Sequence, residues 1–354
     1  MKILYSFNKT GFEERFWTRE VAAASSSDYQ FIPFNHGAIC NPMRYLRAQA
    51  LDNLYFDEDP SLLSLYRTVG DLIEKEKIDV LFVDNCFPYH PEFLRRLNIY
   101  KVIRTTDGPI SAYDRDLAYL HAYDHVLYHT PAYSRDLTMA EKLAYCGAKR
   151  ADFLPLGLFD VAFRPDLDED AVMRQARSVD LVFVGGMVPG KFPILASVKK
   201  KYGSRCRMHG LTNWKRNAYF NVKYGFPGWI RPIRFEDYVP LYQRSKIGFN
   251  VHNRGDYTVG NYRLYELAAN GVMQISDGGV YLQTFFEPGE EIVAFTDADD
   301  LVEKINRYLA DETERCRIAR NAYRRVIRDY RFKHVMGRAV DLIAEGMRGK
   351  GGVR

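Results

Sequence analysis

The chain has 354 residues, of which 47% are hydrophobic and 27% charged, enough length for two domains and a balance that excludes a disordered chain. No apolar run approaches the roughly 20 residues that span a bilayer. The formal charge of +5 suits anionic ligands or an anionic membrane surface. The basic residues read as dispersed, which argues against a nucleic-acid binder.

The N-terminal "MKILYSFNKTG" is a short strand that meets Asn8, Lys9 and Thr10 too early for a signal peptide, so a cytoplasmic protein is expected. Further strands are expected over 29–34, 79–84, 101–106, 124–129 and 152–157. Helical patterns lie between them, such as Glu13–Ser25, Ser61–Lys75, Ser111–Ala122 and Ser134–Tyr145. This alternation means βαβ units and a parallel sheet. A polar stretch over 161–179 reads as a linker between an N-terminal domain, 1–160, and a second domain, 180–330. Strands are expected in the second at 181–186, 205–210, 246–252, 272–276 and 291–295. From about Asp311 the pattern is helical, and 331–354 reads as a last amphipathic helix packing back on the first domain. The final "GMRGKGGVR" reads as a frayed tail.

The five cysteines, Cys40, Cys86, Cys146, Cys206 and Cys316, form no CxxC pair and read as reduced core thiols. The acidic runs at 57–60 and 166–170 read as solvated loops, and no metal is expected. No G-x-S-x-G elbow supports nucleophilic hydrolysis.

In open α/β sheets ligands bind beyond the carboxyl ends of the strands, so residues just after strands carry the functional argument. "LVFVGGMVPGKF" over 181–192 follows a strand with Gly185 and Gly186, then brings Lys191 to the start of a helix. Glycines allow a phosphate close to backbone N–H groups and a lysine supplies a point charge; a tight turn is the alternative. "VGNYRLYELAANG" over 259–271 puts Arg263 and Glu266 on one helix face, with Asn261 as a possible cap and Tyr262 beside it. This pair is either a solvated i,i+3 ion pair or a ligand clamp. In the clamp, glutamate accepts from a ribose diol and arginine contacts phosphate or orients the glutamate. Gly11 sits in the first strand-to-helix turn, where it either serves the turn or faces a phosphate. Asp84, Asn85, Asp107, His209 and His252 are polar residues after strands, and Asp107 in "TTDGP" is the best placed. His36 and His90 are weaker candidates of this kind.

Together these stretches resemble the group 1 GT-B glycosyltransferases, and specifically their CgeB-like (spore maturation protein-like) branch. The family pattern V-G-R-L-V-P-E-K meets "VGGMVPGK" at 184–191, so the resemblance assigns Lys191 to the donor pyrophosphate. The family arginine falls on Gly186, leaving that charge to Lys215, Arg216 or Arg263. The second glutamate of the E-x7-E motif matches Glu266, the ribose ligand, while the first falls on Thr258. CgeB-like members keep an R-x-x-E core, which "RLYE" at 263–266 fits.

The resemblance implies an α/β GT-B fold, two Rossmann-like parallel-sheet domains facing across a cleft with a C-terminal crossover helix. It implies a hexosyltransferase-type enzyme that moves a sugar from a nucleoside diphosphate sugar to a glycan, lipid-linked or small-molecule hydroxyl. Retention of configuration and independence of metal and cofactor follow from the same resemblance. The expected donor-site residues are Gly11, Gly185, Gly186, Lys191, His209, Thr258, Asn261, Tyr262, Arg263 and Glu266, with Asp107 as the catalytic candidate. The protein would be cytoplasmic and able to touch the inner face of the membrane. The alternatives are a nucleotide-sugar epimerase on the same fold and a non-catalytic nucleotide-sugar-binding scaffold.

Overall fold

Two sheets organise the chain, and their central strands bury both faces. In the computed structural model, residues 1–41, 44, 47–84, 88–105, 117–226, 228–253 and 258–351 are described. They form two compact units, Met1–Gly157 with Phe332–Arg354, and Leu158–Arg331.

The first unit runs β1 (Lys2–Phe7), α1 (Gly11–Ala23), β2 (Gln30–Asn35), α2 (Ala48–Phe56), α3 (Pro60–Glu76), β3 (Val80–Asp84), α4 (Pro91–Arg96), β4 (Tyr100–Thr105) and β5 (His125–Tyr128). It continues with β6 (Ala132–Ser134), β7 (Leu137–Thr138), α5 (Met139–Tyr145) and β8 (Ala151–Phe153). Six strands lie in the order β2-β1-β3-β4-β5-β8, and every pair in that sheet is parallel. Every residue of β3 and β4 is buried, because helices cover both faces of such a sheet.

Local chemistry sets the helix ends. The Asp59 carboxylate accepts from the N–H groups of Ser61 and Leu62, and Pro60 opens α3. The acidic run at 57–60 is therefore partly a cap, and Asp59 also pairs with Arg44 at 2.5 Å. The helix expected over 134–145 starts later: β6 and β7 form a short antiparallel hairpin, and a capping box between Thr138 and Glu141 begins α5 at Met139.

The second unit contains α6 (Glu169–Met173), β9 (Val179–Val184), α7 (Phe192–Tyr202), β10 (Cys206–His209), α8 (Trp214–Tyr224), α9 (Phe235–Gln243) and β11 (Ser245–Asn250). It ends with α10 (Arg263–Ala269), β12 (Met273–Ser276), β13 (Val293–Ala294), α11 (Ala298–Ala310) and α12 (Glu312–Asp329). Its sheet order is β10-β9-β11-β12-β13, again all parallel. Residues 161–179 include α6, and the run at 166–170 is no solvated loop. Asp168 caps α6, and Glu169 binds both Arg320 and Arg324 of α12.

The last helix, α13 (Phe332–Gly351), lies in the first unit against α1 and β5. Phe332 stands edge-on to Tyr5 and Trp17, and Gly157 leaves room for its backbone. Cys40 and Cys206 are buried, but Cys146 is half-buried and Cys316 exposed, so two of the described cysteines are not core thiols. Cys86 lies outside the described residues. Among the described residues no helix is long and apolar enough to cross a membrane.

Candidate functional site

At the carboxyl ends of β9, β10, β11 and β12 four turns of the second unit meet. The β9 strand "VDLVFV" buries its last four residues and hands the chain to Gly185 and Gly186. Gly185 N–H donates to the His209 carbonyl at 2.9 Å, so this amide is consumed by the fold and is not a free phosphate donor. Gly186 is exposed, and a Cβ there would meet nothing within 4 Å. The turns after β9 and β10 touch closely. A Cβ on Gly210 would collide with the Gly185 carbonyl oxygen, so only glycine permits this approach. A pocket of about 170 Å³ opens here, lined by Gly185, Gly186, Gly210, Leu211, Tyr238 and Arg263 among others.

One cation, Arg263, lines this glycine floor, and a second, Lys191, lies within reach of its charge. Lys191 ends a 3₁₀ turn, Pro189–Lys191, just before α7. It is only 2% exposed, with Nζ 5.9 Å from the centre of the Phe183 ring. Burial first, and the Arg263 charge second, push its amine down to about 7, while Asp277 pulls the other way. No hydrogen bond or ion pair holds Nζ among the described residues. Arg263, first residue of α10, places Nη2 2.9 Å from where a Gly185 Cβ would stand. Its Nε is buried without a hydrogen-bond partner.

Glu266 lies one turn further along α10. It is 8% exposed, and burial raises its carboxyl above the ordinary range, offset by the Arg263 charge and by Tyr242. Tyr242 Oη donates to its Oε2 at 3.4 Å. Arg263 and Glu266 form no ion pair within 4 Å among the described residues, so the solvated i,i+3 pair is corrected. The carboxylate is buried against Tyr242 Oη and the guanidinium lies against the glycine turn. Asn261 does not cap α10. Tyr262 occupies that position without a side-chain capping bond, because the Asn261 amide exchanges two 3.0 Å bonds with Asn250 at the end of β11. The Tyr262 ring stacks on Phe159 at 6.2 Å.

His209 closes β10 half-buried. Its Nδ1 is buried without a partner, and burial lowers its pKa, which favours a neutral ring. Thr258, where the resemblance expects a glutamate, is half-buried just before this turn.

A buried dyad completes the strand ends. His252 Nδ1 lies 2.5 Å from Asp277 Oδ1, and the His252 N–H donates to both oxygens of the same carboxylate. The ring is 5% exposed as a residue, and Nε2 has no partner. Asp277 also acts on the Lys191 charge, so the dyad and the lysine share one electrostatic neighbourhood. Sequence reasoning named His252 and passed over Asp277, Tyr238 and Tyr242. Asp277 carried a usable signal, a carboxylate directly after a strand in "ISDGG".

In the first unit the polar residues after strands mostly satisfy one another. Ser6 Oγ bridges His36 Nδ1 at 2.9 Å and Tyr89 Oη at 2.6 Å. Asp84 accepts from Tyr5, and His90 caps α4 while facing Asp52 at 3.1 Å. Gly11 opens α1 with φ +59°, a left-handed conformation that favours glycine. Asp107 and Asn85 lie outside the described residues. The second unit therefore holds Gly185, Gly186, Lys191, His209, Thr258, Asn261, Tyr262, Arg263 and Glu266; of these Gly185, Gly186 and Arg263 line the pocket, Lys191 and Glu266 feel the Arg263 charge, and Gly11 belongs to the first unit.

A family model described as glycosyl transferase-like matches residues 193–341. No curated protein sequence matches significantly. Solved structures match along the whole chain. Sucrose-phosphate synthase from Thermosynechococcus elongatus is 14% identical, with TM-score 0.65 and 99% of this chain and 100% of that chain covered. Anabaena HepE in complex with UDP-glucose is 13% identical at TM-score 0.62, covering 99% and 100%. A Listeria monocytogenes protein described as a UDP-N-acetylglucosamine 2-epimerase is 12% identical at TM-score 0.57, covering 98% and 97%. At such identities the likeness establishes the fold: two parallel α/β units of the GT-B class.

Proposed function

We propose that the chain is a glycosyltransferase that moves a hexose from a nucleoside diphosphate sugar to a hydroxyl of a glycan, lipid-linked or small-molecule acceptor. The observation that carries this reading is the pair Lys191 and Arg263. Arg263 lines an open glycine turn at the carboxyl end of a parallel sheet, the place where α/β folds bind ligands; Lys191 lies close enough to feel its charge, and neither cation has a carboxylate within 4 Å among the described residues. The glycosyl transferase-like match and the UDP-glucose-bound HepE relative support the same reading, and the R-x-x-E core supports a place in the CgeB-like branch.

In this reading the diphosphate lies over Gly186, its charge met by Lys191, Arg263 and the Gly186 N–H. As the acceptor oxygen bonds to the anomeric carbon, the bond to the diphosphate breaks and negative charge grows on the leaving oxygen. Fixed cations in a partly dry site stabilise that charge. Lys191 is poised for this role, since an amine lowered to about 7 becomes fully protonated when a diphosphate arrives. Glu266, seated on Tyr242, accepts from the ribose hydroxyls. We assign the unpartnered Nε2 of His252, whose ring Asp277 holds, to the same ligand. Transfer proceeds without a bound metal, because these residues supply the charge, and with retention, as the resemblance to group 1 enzymes implies. The second unit is the donor domain and the first the acceptor domain of a cytoplasmic enzyme.

The test is incubation with a panel of nucleotide sugars and hydroxyl acceptors, with and without chelator, followed by proton NMR of the anomeric signals. Transfer requires donor and acceptor together, survives chelation and keeps the anomeric configuration. Conversion of donor with no acceptor present would instead establish an epimerase, the reading that the Listeria relative supports.

A further inference from the structure

From Leu181 to Phe235 the chain runs 55 residues without an aspartate or glutamate, while eleven are lysine or arginine. At the chain-wide share of 45 acidic residues in 354, about seven would be expected in such a stretch. The basic residues are therefore not dispersed, as composition suggested. Some of this charge is spent internally. Lys191 is buried, Lys199 donates to the carbonyls of Gly203 and Cys206, and Arg205 pairs with Asp180. Lys215, Arg216, Lys223, Arg231 and Arg234 are exposed, and none forms an ion pair among the described residues.

These cations surround apolar side chains that stand in water. Val222 is 87% exposed, Leu211 77%, Trp214 69% and Trp229 54%. The α8 helix buries Asn217 and Phe220 on one side and presents Trp214, Lys215, Tyr219 and Val222 on the other. Trp229 is held beside it rather than free, because the Asn217 side chain bonds both N–H and carbonyl of Ile230. The lysines lie along the rings: Lys215 Nζ is 5.8 Å from the Trp214 ring, and Lys223 Nζ bonds Tyr219 Oη at 2.7 Å. Apolar tips ringed by cations on amphipathic stems match a membrane interface, where rings sit at headgroup depth and ammonium groups reach phosphates.

We propose that this face of the second unit, α8 with the Leu211 turn and the Trp229 loop, rests on an anionic lipid bilayer. Charge complementarity selects the occupant, with five cations that form no ion pair among the described residues and no acid from 181 to 235 to repel lipid phosphate. Aliphatic tips select lipid over nucleic acid, which stacks on aromatic rings but has no use for Val222 or Leu211. Leu211 also lines the pocket beside Gly186, so the bilayer surface would lie next to the pocket mouth. The inference stands independently of the transferase activity.

The test is flotation of the full chain with phosphatidylcholine vesicles, with and without phosphatidylglycerol, at low and high salt. Wild type binds only the anionic vesicles, and salt releases it. Removing three charges (Lys215→Gln, Arg216→Gln, Lys223→Gln) weakens partitioning roughly 100-fold. Trp214→Ser with Val222→Ser and Trp229→Ser weakens it more than tenfold at low salt. Removing three charges from the first unit (Arg67→Gln, Lys75→Gln, Arg135→Gln) changes it less than threefold. Brominated lipid quenches wild-type tryptophan emission, a readout that needs no variant. The proposal is overturned by failure to bind anionic vesicles, by absence of quenching, by equal losses in both charge variants, or by binding of duplex nucleic acid in preference to vesicles.

Discussion

Replacing Lys191 with methionine should strengthen the fold and abolish nucleotide binding. The lysine is 2% exposed and its amine falls from 10.5 to about 7. At 1.36 kcal/mol per unit, holding this charge in the folded second unit costs on the order of 3–5 kcal/mol. The sign follows from proton counts. Below pH 7 both folded and unfolded chains hold the proton, and the cost is at its full value. Between 7 and 10.5 the unfolded chain holds more protons than the folded one, so stability rises with pH. Methionine removes the cost, so calorimetry at pH 7 should show the second unit melting roughly 6–15 °C higher. The gain should vanish near pH 10. UDP affinity in wild type should fall as pH rises above 7, because binding then requires proton uptake, and the variant should lose both the affinity and that pH dependence. A variant that melts no higher at pH 7 and binds UDP normally would refute a buried, phosphate-directed charge.

Two glycines should respond in opposite ways. Gly186→Ala leaves the melting temperature unchanged, since nothing lies within 4 Å, but weakens nucleotide affinity by filling the space over the turn. Gly210→Ala collides with the Gly185 carbonyl and should destabilise the second unit by about 2 kcal/mol or more; thermal melts separate the two. Glu266→Gln keeps the shape and removes a buried carboxylate, so affinity should drop roughly 10–150-fold, the worth of hydrogen bonds to a charged group. Its melting temperature should hold or rise, and calorimetric titration with UDP or GDP checks this. His252→Gln should lower turnover more than nucleotide affinity if Nε2 meets the reacting diphosphate, and equal losses in both would assign the dyad a purely structural role.

Strand positions were legible because parallel strands are short continuous apolar runs. "DVLFVD" and "LVFVGG" became β3 and β9 within two residues. Helix starts were less so: the Ser134–Tyr145 expectation missed a hairpin, since the pairing of β6 with β7 leaves no periodic mark in seven residues. For the site, the glycines, Lys191, Arg263 and Glu266 were readable from their places after strands. What Arg263 and Glu266 do with their charges was not, because spacing on a helix says that two side chains share a face but not which one burial turns inward. Asn261 escaped for a related reason, its partner Asn250 being a tertiary neighbour on another strand. The Asp277 contact with His252 joins residues 25 apart, which only the sheet order brings together. The basic stretch from 181 to 235 was visible in the letters alone, but only the fold shows which of its charges remain unpaired.

The central claim, that the second unit holds a nucleoside diphosphate through Lys191, Arg263 and Glu266, is tested most directly by calorimetric titration. Wild type and Lys191→Met would be titrated with a panel of nucleoside diphosphates at pH 7. The account predicts saturable binding of one diphosphate per chain by the wild type and at least a tenfold loss in the variant. Absence of binding to every diphosphate, or equal affinity in both proteins, would contradict it.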